Sequence, residues 1–585
     1  MSHPVSQWNK SSEVQGCHST LPAADADALI ARIRASVIGE GRPIETPFGL
    51  RPLVYADYVA SGRGLSFIEN LIRDQVLPDY GNTHTETSHT GRRTTVLRET
   101  ARETIRKALG ADERHAVIFT GSGATSAVNK LVRAMQLQGR LPRRASLAEM
   151  TEAERPVVFV GPYEHHSNDL PWRETGARIR RIPLNAAGGI CLDTLARELA
   201  AVPAGVPRLG VFSAASNVTG IKTDVRAIAK LLHAHDAMVF CDYAAGAPYM
   251  PIAIGETAPG ANDHIDALVL SPHKFVGGPG ASGLLVCDKA IFEGIEPTTT
   301  GGGTVSYVTA EGHCYVTSVE RREEAGTPNI VGDIKTGLVL ELQARVGARE
   351  IERRETEMVA RAMRAWAQEP NIELLGPLDA ERIGVFALNI RCGAKKLHYG
   401  LVVALLNDLF GIQARGGCSC AGPYGHDLLG IDGADALRHQ QEVHSGRSVL
   451  RPGWVRLGFN YFFDERTTDY LIEAVRFVAA HGAAFMSLYK VNPSTGVWSV
   501  ASGAAPAARP ASLFEALDGA ATPPAGTEVP DFAECLAIAQ DIAQKASAAY
   551  PCNPAISMPE QEDIRWFWLP HEAAEAARSE NEDRL

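Results

Sequence analysis

Through the first half of the chain, short apolar runs alternate with helically spaced stretches, and a polar or glycine-rich break separates each pair. AVIFTGSGATSAVNKLVRAM (Ala116–Met135) reads as strand, glycine turn and helix. PVVFVGPYEHHSNDLPW (Pro156–Trp172) is a buried strand running into Glu164, His165 and His166. RLGVFSAASNVTG (Arg208–Gly220) is a strand ending in Asn217, and a helix follows over Asp224–His235 with Thr223 as N-cap. AMVFCDYAAGAPY (Ala237–Tyr249) is an apolar strand ending in Asp242. ALVLSPHKFVGGPGASGLLV (Ala267–Val286) is a strand, then Ser271, Pro272, His273 and Lys274, then a glycine run and a second apolar run. This alternation predicts an α/β fold whose sheet is mostly parallel and covered by helices.

The flanks carry weaker patterns. Leu29, Ile30, Ile33 and Val37 have helical spacing within Asp25–Ile38, and residues 1 to about 22 read as loosely attached. VYADYVASGRG (Val54–Gly64) reads as strand into turn, followed by a helix over Phe67–Val76. GNTHTETSHTGRRTT (Gly81–Thr95) is too polar for a core and reads as a loop before a helix over Val96–Leu109. A long helical region spans Asp333–Trp366, after which strands near Gly384–Ile390 and Trp454–Phe462 alternate with helices over Leu397–Leu409 and Glu465–Ala479. Ser499–Pro530, rich in Ala, Pro and Gly, reads as a linker; Phe532–Tyr550 as a helix; RWFWLP (Arg565–Pro570) as a packing anchor; and Glu572–Leu585 as a frayed, charged end. The expected division is an N-terminal segment (1–45), a large domain (46–330), a smaller α/β domain (331–492) and a linker with C-terminal extension (493–585).

In parallel sheets, ligands sit at the carboxyl ends of the strands. Glu164, His165, Asn217, Asp242 and Lys274 all fall at such ends. A lysine fixed between a strand end and a glycine turn suits a Schiff-base amine, because partial desolvation lowers its pKa. Gly121, Ser122, Gly123, Ala124 and Thr125 open a helix and can cradle a phosphate, but match neither the Walker nor the Rossmann spacing. Paired histidines with no third ligand at a suitable spacing, and the lone pair Cys418 and Cys420 in GIQARGGCSCAGPYGH, argue against a metal site. A thiol on a glycine-rich loop fits a nucleophile better. Arg456 is a candidate carboxylate clamp.

Composition narrows the class. The 585 residues are 45% hydrophobic and 21% charged, with a formal charge of −11 and no basic stripe, so a nucleic-acid partner is not expected. The polar N-terminus has no signal-peptide core, and no apolar run approaches bilayer length. The ten scattered cysteines then read as reduced thiols of a cytoplasmic protein rather than a disulfide framework.

Over roughly residues 50–490, EHHSN, SNVTG, the Asp242 strand end, SPHK, GGG, AGTPN, ARGGCSC and VRLGFN stand in an order that resembles fold-type I pyridoxal-phosphate (PLP) enzymes of the class V aminotransferase group. Within that group the chain is similar to Suf-type cysteine desulfurases and selenocysteine lyases. The resemblance implies that Lys274 binds PLP and shuttles the Cα proton, and that Asp242 pairs with the pyridinium nitrogen. His165 would stack on the ring and pass protons as a catalytic residue, and Asn217 would bond the ring oxygen. Gly123, Ala124, Thr125, Ser271 and His273 would hold the phosphate. Gly302 would reach the partner's site in a homodimer. Arg456 and Asn460, with Asn217, would hold an L-cysteine substrate, and Cys420 would carry the persulfide for a sulfur-acceptor protein. Ala245 departs from the family's usual Gln or His, and Cys418 with Ser419 replaces the residues that usually precede the active cysteine. The rival readings are an aminotransferase, a selenocysteine lyase, another amino-acid lyase or epimerase, or a non-catalytic scaffold.

Overall fold

The computed structural model describes residues 23–143, 147, 149–501, 512–514, 528–548 and 558–572. The readings of residues 1–22, most of the linker at 499–530 and the charged end after Glu572 lie outside these residues.

Seven strands form the central sheet: β1 (His115–Phe119), β2 (Val157–Val160), β3 (Arg178–Arg181), β4 (Arg208–Ser213), β5 (Met238–Asp242), β6 (Ala267–Leu270) and β7 (Leu284–Asp288). Their order is β1-β7-β6-β5-β4-β2-β3, and only β7 runs antiparallel to its neighbours. Every residue of β1, β2 and β6 is buried, as expected where helices cover both faces of a sheet. Register pairs Ser213 with Asp242 and Asp242 with Val269, so the ends of β4, β5 and β6 form one edge.

Several boundaries moved for local reasons. Helix α1 (His89–Ala108) begins inside the stretch read as loop, because the Ser88 hydroxyl accepts the Gly91 N–H and caps it. Asp224, not Thr223, caps the helix after β4, since the Thr223 hydroxyl is occupied by the Ser213 carbonyl and the Tyr163 hydroxyl. The strand expected from Val54 is only Val54–Tyr55, paired with Ile412–Gln413. The long helical region is two helices, α2 (Ile330–Val346) and α3 (Ala348–Trp366), broken at Gly347 with φ 89°. A Cβ on Gly337 would sit 2.6 Å from that of Ala101, so the missing side chain lets α1 and α2 touch backbone to backbone.

The second sheet is antiparallel: β8 (Ile372–Leu374), β9 (Val385–Cys392), β10 (Arg415–Gly417) and β11 (Trp454–Gly458), in the order β8-β9-β11-β10. Glu465–Leu488 is long and apolar enough to cross a membrane, contrary to the sequence reading. Residues along it, among them Leu471, Val475, Val478 and Phe485, are buried in the core, so it is a core helix of this fold.

The C-terminal residues close over this unit. Trp566 stacks on His398 and Tyr399, Phe567 bridges to Lys396, and the Trp568 indole donates to the Cys392 carbonyl at 2.6 Å. His398 lies beneath. Its Nδ1 accepts from the Trp498 indole at 3.0 Å, its Nε2 lies 3.1 Å from the Val449 carbonyl, and burial lowers its pKa to about 3. Below pH 6.5 the unfolded chain takes up a proton that this folded ring refuses, so its contribution falls as pH drops from about 6.5 toward 3. Truncation after residue 495 removes Trp498 and the Trp566–Trp568 cover. Thermal unfolding should show a midpoint lowered on the order of 5 °C at pH 7 and a weaker acid dependence than the full chain.

Candidate active site

The carboxyl edge of the central sheet opens into a cavity of about 320 Å³. At one end the turn after β1 leads into the helix Ala124–Leu137, whose N-cap Gly123 has an extended backbone with φ 178°. The Ala124 N–H donates to the Ser271 hydroxyl at 3.0 Å, and His273 Nδ1 donates to the Ser122 carbonyl at 2.8 Å. A Cβ on Gly123 would lie 3.0 Å from the His273 ring and 3.2 Å from the Ser271 hydroxyl, so only glycine leaves this corner open. Thr125 lines the cavity too, donating to the Ser167 hydroxyl at 2.7 Å. A helix N-terminus, a hydroxyl and an imidazole converging on an open corner suit an anion.

The middle of the cavity holds Lys274, Asp242 and His165. Loss of water around the ammonium lowers the Lys274 pKa to about 8, against the opposing pull of Asp242. Burial raises the Asp242 carboxyl pKa, although one oxygen accepts the Ala244 N–H at 2.7 Å. His165 Nδ1 accepts the Ser167 N–H at 3.1 Å, so the neutral ring carries its proton on Nε2. Desolvation first, then Lys274, lowers the His165 pKa to about 4, and the ring stays neutral at pH 7. Glu164, from the same strand end, does not line the cavity. It is buried against the Ser213 hydroxyl and N–H and the Asn168 amide, with its pKa raised by burial to about 7.

The outer end is built by β10, β11 and the cysteine loop. Arg456 is buried; its Nη2 donates to Asp57 at 2.7 Å and its Nη1 to the Asn217 carbonyl at 3.1 Å, while its Nε has no partner. Arg415, opposite Arg456 in the ladder, also donates to Asp57 at 2.7 Å. Sequence reasoning missed Asp57 and Arg415; an acidic residue beside an early short strand gave no signal of a partner some 400 positions away. Ser419 and Cys420 have φ of 50° and 55°, a conformation that costs a non-glycine residue about 1 kcal/mol each. Three bonds hold the loop there. Asn217 Nδ2 donates to the Ser419 carbonyl at 2.7 Å, the His166 N–H donates to the Cys420 carbonyl at 2.9 Å, and the Gly422 N–H donates to His166 Nε2 at 3.2 Å.

The cavity therefore brings together His165, Asn217, Asp242, Lys274, Gly123, Ala124, Thr125, Ser271, His273, Arg456 and Cys420. Two expected residues stand apart. Asn460 does not line the cavity: β11 stops at Gly458, and the chain turns where the Phe463 N–H donates to the Asn460 carbonyl, which ends the alternation that would align 456 with 460. Gly302 is exposed on a loop outside the cavity. Cys418 is half-buried against the core and does not reach the cavity wall.

The family model for aminotransferase class-V matches residues 54–438, two-thirds of the chain. The chain belongs to the class-V aminotransferase family. Among relatives of this family member, a probable cysteine desulfurase of Halalkalibacterium halodurans is 30% identical over 64% of the chain and 85% of its own length. A cysteine desulfurase of Escherichia coli O127:H6 is 31% identical over 46% of the chain and 62% of its own length. Two solved structures share the fold: the apo cysteine desulfurase of Thermococcus onnurineus NA1 (TM-score 0.59, 23% identity, 73% and 95% of the two chains) and the E. coli cysteine desulfurase CsdA (TM-score 0.57, 24% identity, 76% and 97%).

In this member of the class-V family, the Arg456–Asp57 pair is buried at both ends. Removing one partner of such a pair leaves an uncompensated charge. Asp57→Ala should lose about 3 kcal/mol of unfolding free energy in a denaturant titration, whereas Asp57→Asn, which keeps an acceptor, should lose clearly less.

Proposed function

We propose that this chain is a PLP-dependent cysteine desulfurase that converts L-cysteine to L-alanine and takes the sulfur as a persulfide on Cys420. The observation that carries the reading is the placement of an exposed thiol, held by a strained loop, in the same cavity wall as a desolvated lysine and a buried arginine.

The residues fit PLP on three points. The corner at Gly123, with Ser271, His273 and Thr125, suits a phosphate. Among the described residues no cationic side chain bonds to the buried carboxyl of Asp242, which suits a protonated ring nitrogen. The Asn217 Oδ1 is buried without a partner, a group a bound molecule would satisfy. The small Ala245 also lines the cavity. When bound, PLP withdraws electrons from the substrate Cα and so makes its proton acidic and its Cβ–S bond labile.

Lys274, with a pKa of about 8, is partly unprotonated near neutral pH, so it can both condense with an aldehyde and accept the Cα proton. His165, neutral with its proton on Nε2, can stack and donate. Arg456, its Nε free, holds the substrate carboxylate beside Arg415. Cys420 as thiolate attacks the substrate sulfur; the Cβ–S bond breaks, an S–S bond forms, and Cβ takes a proton, leaving alanine and Cys420–S–SH. A division into a large domain (46–330) and a smaller one (331–492) is part of the proposal, and the separate parallel and antiparallel sheets support it. A homodimer, a cytoplasmic site of action and a protein sulfur acceptor complete the proposal.

Two experiments test it. Lys274→Ala should lose the visible absorbance of bound PLP and at least 10³-fold in turnover, since one group both holds the cofactor and moves the proton; an unchanged spectrum would sink the assignment. Alanine and sulfide release from L-cysteine with reductant should fall at least 100-fold in Cys420→Ser and stay near wild type in Cys418→Ser. Full turnover in Cys420→Ser would move the reaction to the aminotransferase or lyase rivals.

A further inference from the structure

On the opposite edge of the central sheet, away from the cavity, three side chains converge. His233 ends the helix after β4 (Val225–His233), while His264 and Asp266 stand just before β6. His233 Nε2 lies 3.1 Å from one Asp266 oxygen, His264 Nε2 lies 3.7 Å from the other, and the three ligand atoms fall within 4.8 Å of one another. We propose that His233, His264 and Asp266 form a binding site for a divalent transition-metal ion of the zinc type, with water as the fourth ligand.

The placement of the three ligand atoms carries the argument, and the hydrogen-bond partners set which nitrogen of His233 faces inward. His233 Nδ1 lies 3.0 Å from the Asn262 carbonyl, which can only accept, so Nδ1 holds the ring proton. In the neutral ring, Nε2 is then a lone pair, and it faces a carboxylate oxygen, a second acceptor. Either a proton or a metal ion between them would satisfy both. A proton on Nε2 would satisfy His233 and Asp266, while His264 Nε2 faces the other oxygen at 3.7 Å, too far for a hydrogen bond. The two rings are stacked, with centroids 4.1 Å apart and planes at 21°, so protonating both would place like charges face to face. One metal ion would bond all three groups at once. Bonds of about 2.0–2.1 Å in tetrahedral geometry separate ligand atoms by roughly 3.4 Å, and one ligand atom from each of the three residues lies within 4.8 Å of the others, so small side-chain shifts bring all three onto one ion.

The surrounding groups orient the ligands as metal sites require. The Asn262 carbonyl fixes the His233 tautomer, and the Val239 N–H donates at 2.7 Å to the Asp266 oxygen that faces it. Asn262 has φ 54° and is held by its N–H to Glu256, whose other oxygen takes the Gly260 N–H. Glu256 adds negative charge at the site, and Arg114 opposes it from the β1 side. All three ligands are half-buried, which leaves one face open to water. Two imidazoles and one carboxylate favour zinc over magnesium or calcium. Its place at the far edge makes the ion a clamp between helix and sheet rather than a catalyst.

The test uses the full-length, PLP-loaded protein after chelation, with Zn²⁺ and Co²⁺ as probes. Because thiols also bind zinc, the reference is the Cys418→Ser/Cys420→Ser variant. It should bind one Co²⁺ per chain with the visible band of a tetrahedral ion, and its unfolding midpoint should rise with micromolar Zn²⁺. Adding His264→Ala, or the milder His264→Gln, should weaken Zn²⁺ binding at least tenfold and abolish the rise, while the metal-free midpoint and PLP spectrum stay unchanged. Undiminished binding in both His264 variants, or no binding by the reference protein at micromolar Zn²⁺, would overturn the proposal.

Discussion

A buried guanidinium–carboxylate pair, Arg456 with Asp57, joins three distant parts of the chain. Asp57 follows the short strand near the N-terminal side, Arg456 sits in β11 of the antiparallel sheet, and its second nitrogen reaches the Asn217 carbonyl beyond β4 of the central sheet. Nearby, the Gly458 N–H donates to the Ala56 carbonyl at 2.8 Å and extends the same contact along the backbone. Such a pair gains little net stability after desolvation, but losing one partner is costly. Its value lies in alignment: it sets the antiparallel sheet against the carboxyl edge of the parallel one, and the cavity is the space between.

The cysteine loop depends on that alignment. Two consecutive residues in the left-handed region persist because groups from the central sheet, Asn217 and His166, hold the loop's carbonyls and N–H. A strained segment that other parts of the fold over-determine is a common signature of a functional site. Here the strain turns Cys420 into the cavity and leaves Cys418 packed against the core, which separates two thiols that sequence alone treats as equivalent. The thiol is thus aimed by hydrogen bonds from residues that carry no sulfur chemistry.

The C-terminal residues add a second kind of constraint. His398 is buried neutral because Trp498 and Trp566 cover it, and both come from beyond residue 495. The described part of the extension therefore belongs to the core of the antiparallel unit, where Trp568 donates directly to the strand end at Cys392.

The sequence by itself determined the parallel sheet and the middle of the site. Apolar runs end at polar residues, and in a parallel sheet those ends share one edge, so His165, Asn217, Asp242 and Lys274 were legible from local pattern alone. Its boundaries were less secure, as Ser88 and Asp224 show, because caps are chosen by which hydroxyl or carboxyl is free of other partners. Asp57, Arg415, the loop-holding role of His166 and the turn that takes Asn460 off the cavity wall were decided only by the tertiary structure. Each depends on a contact between segments tens to hundreds of residues apart, or on where a strand stops. Periodicity records which face a side chain takes, but not which distant group meets it there.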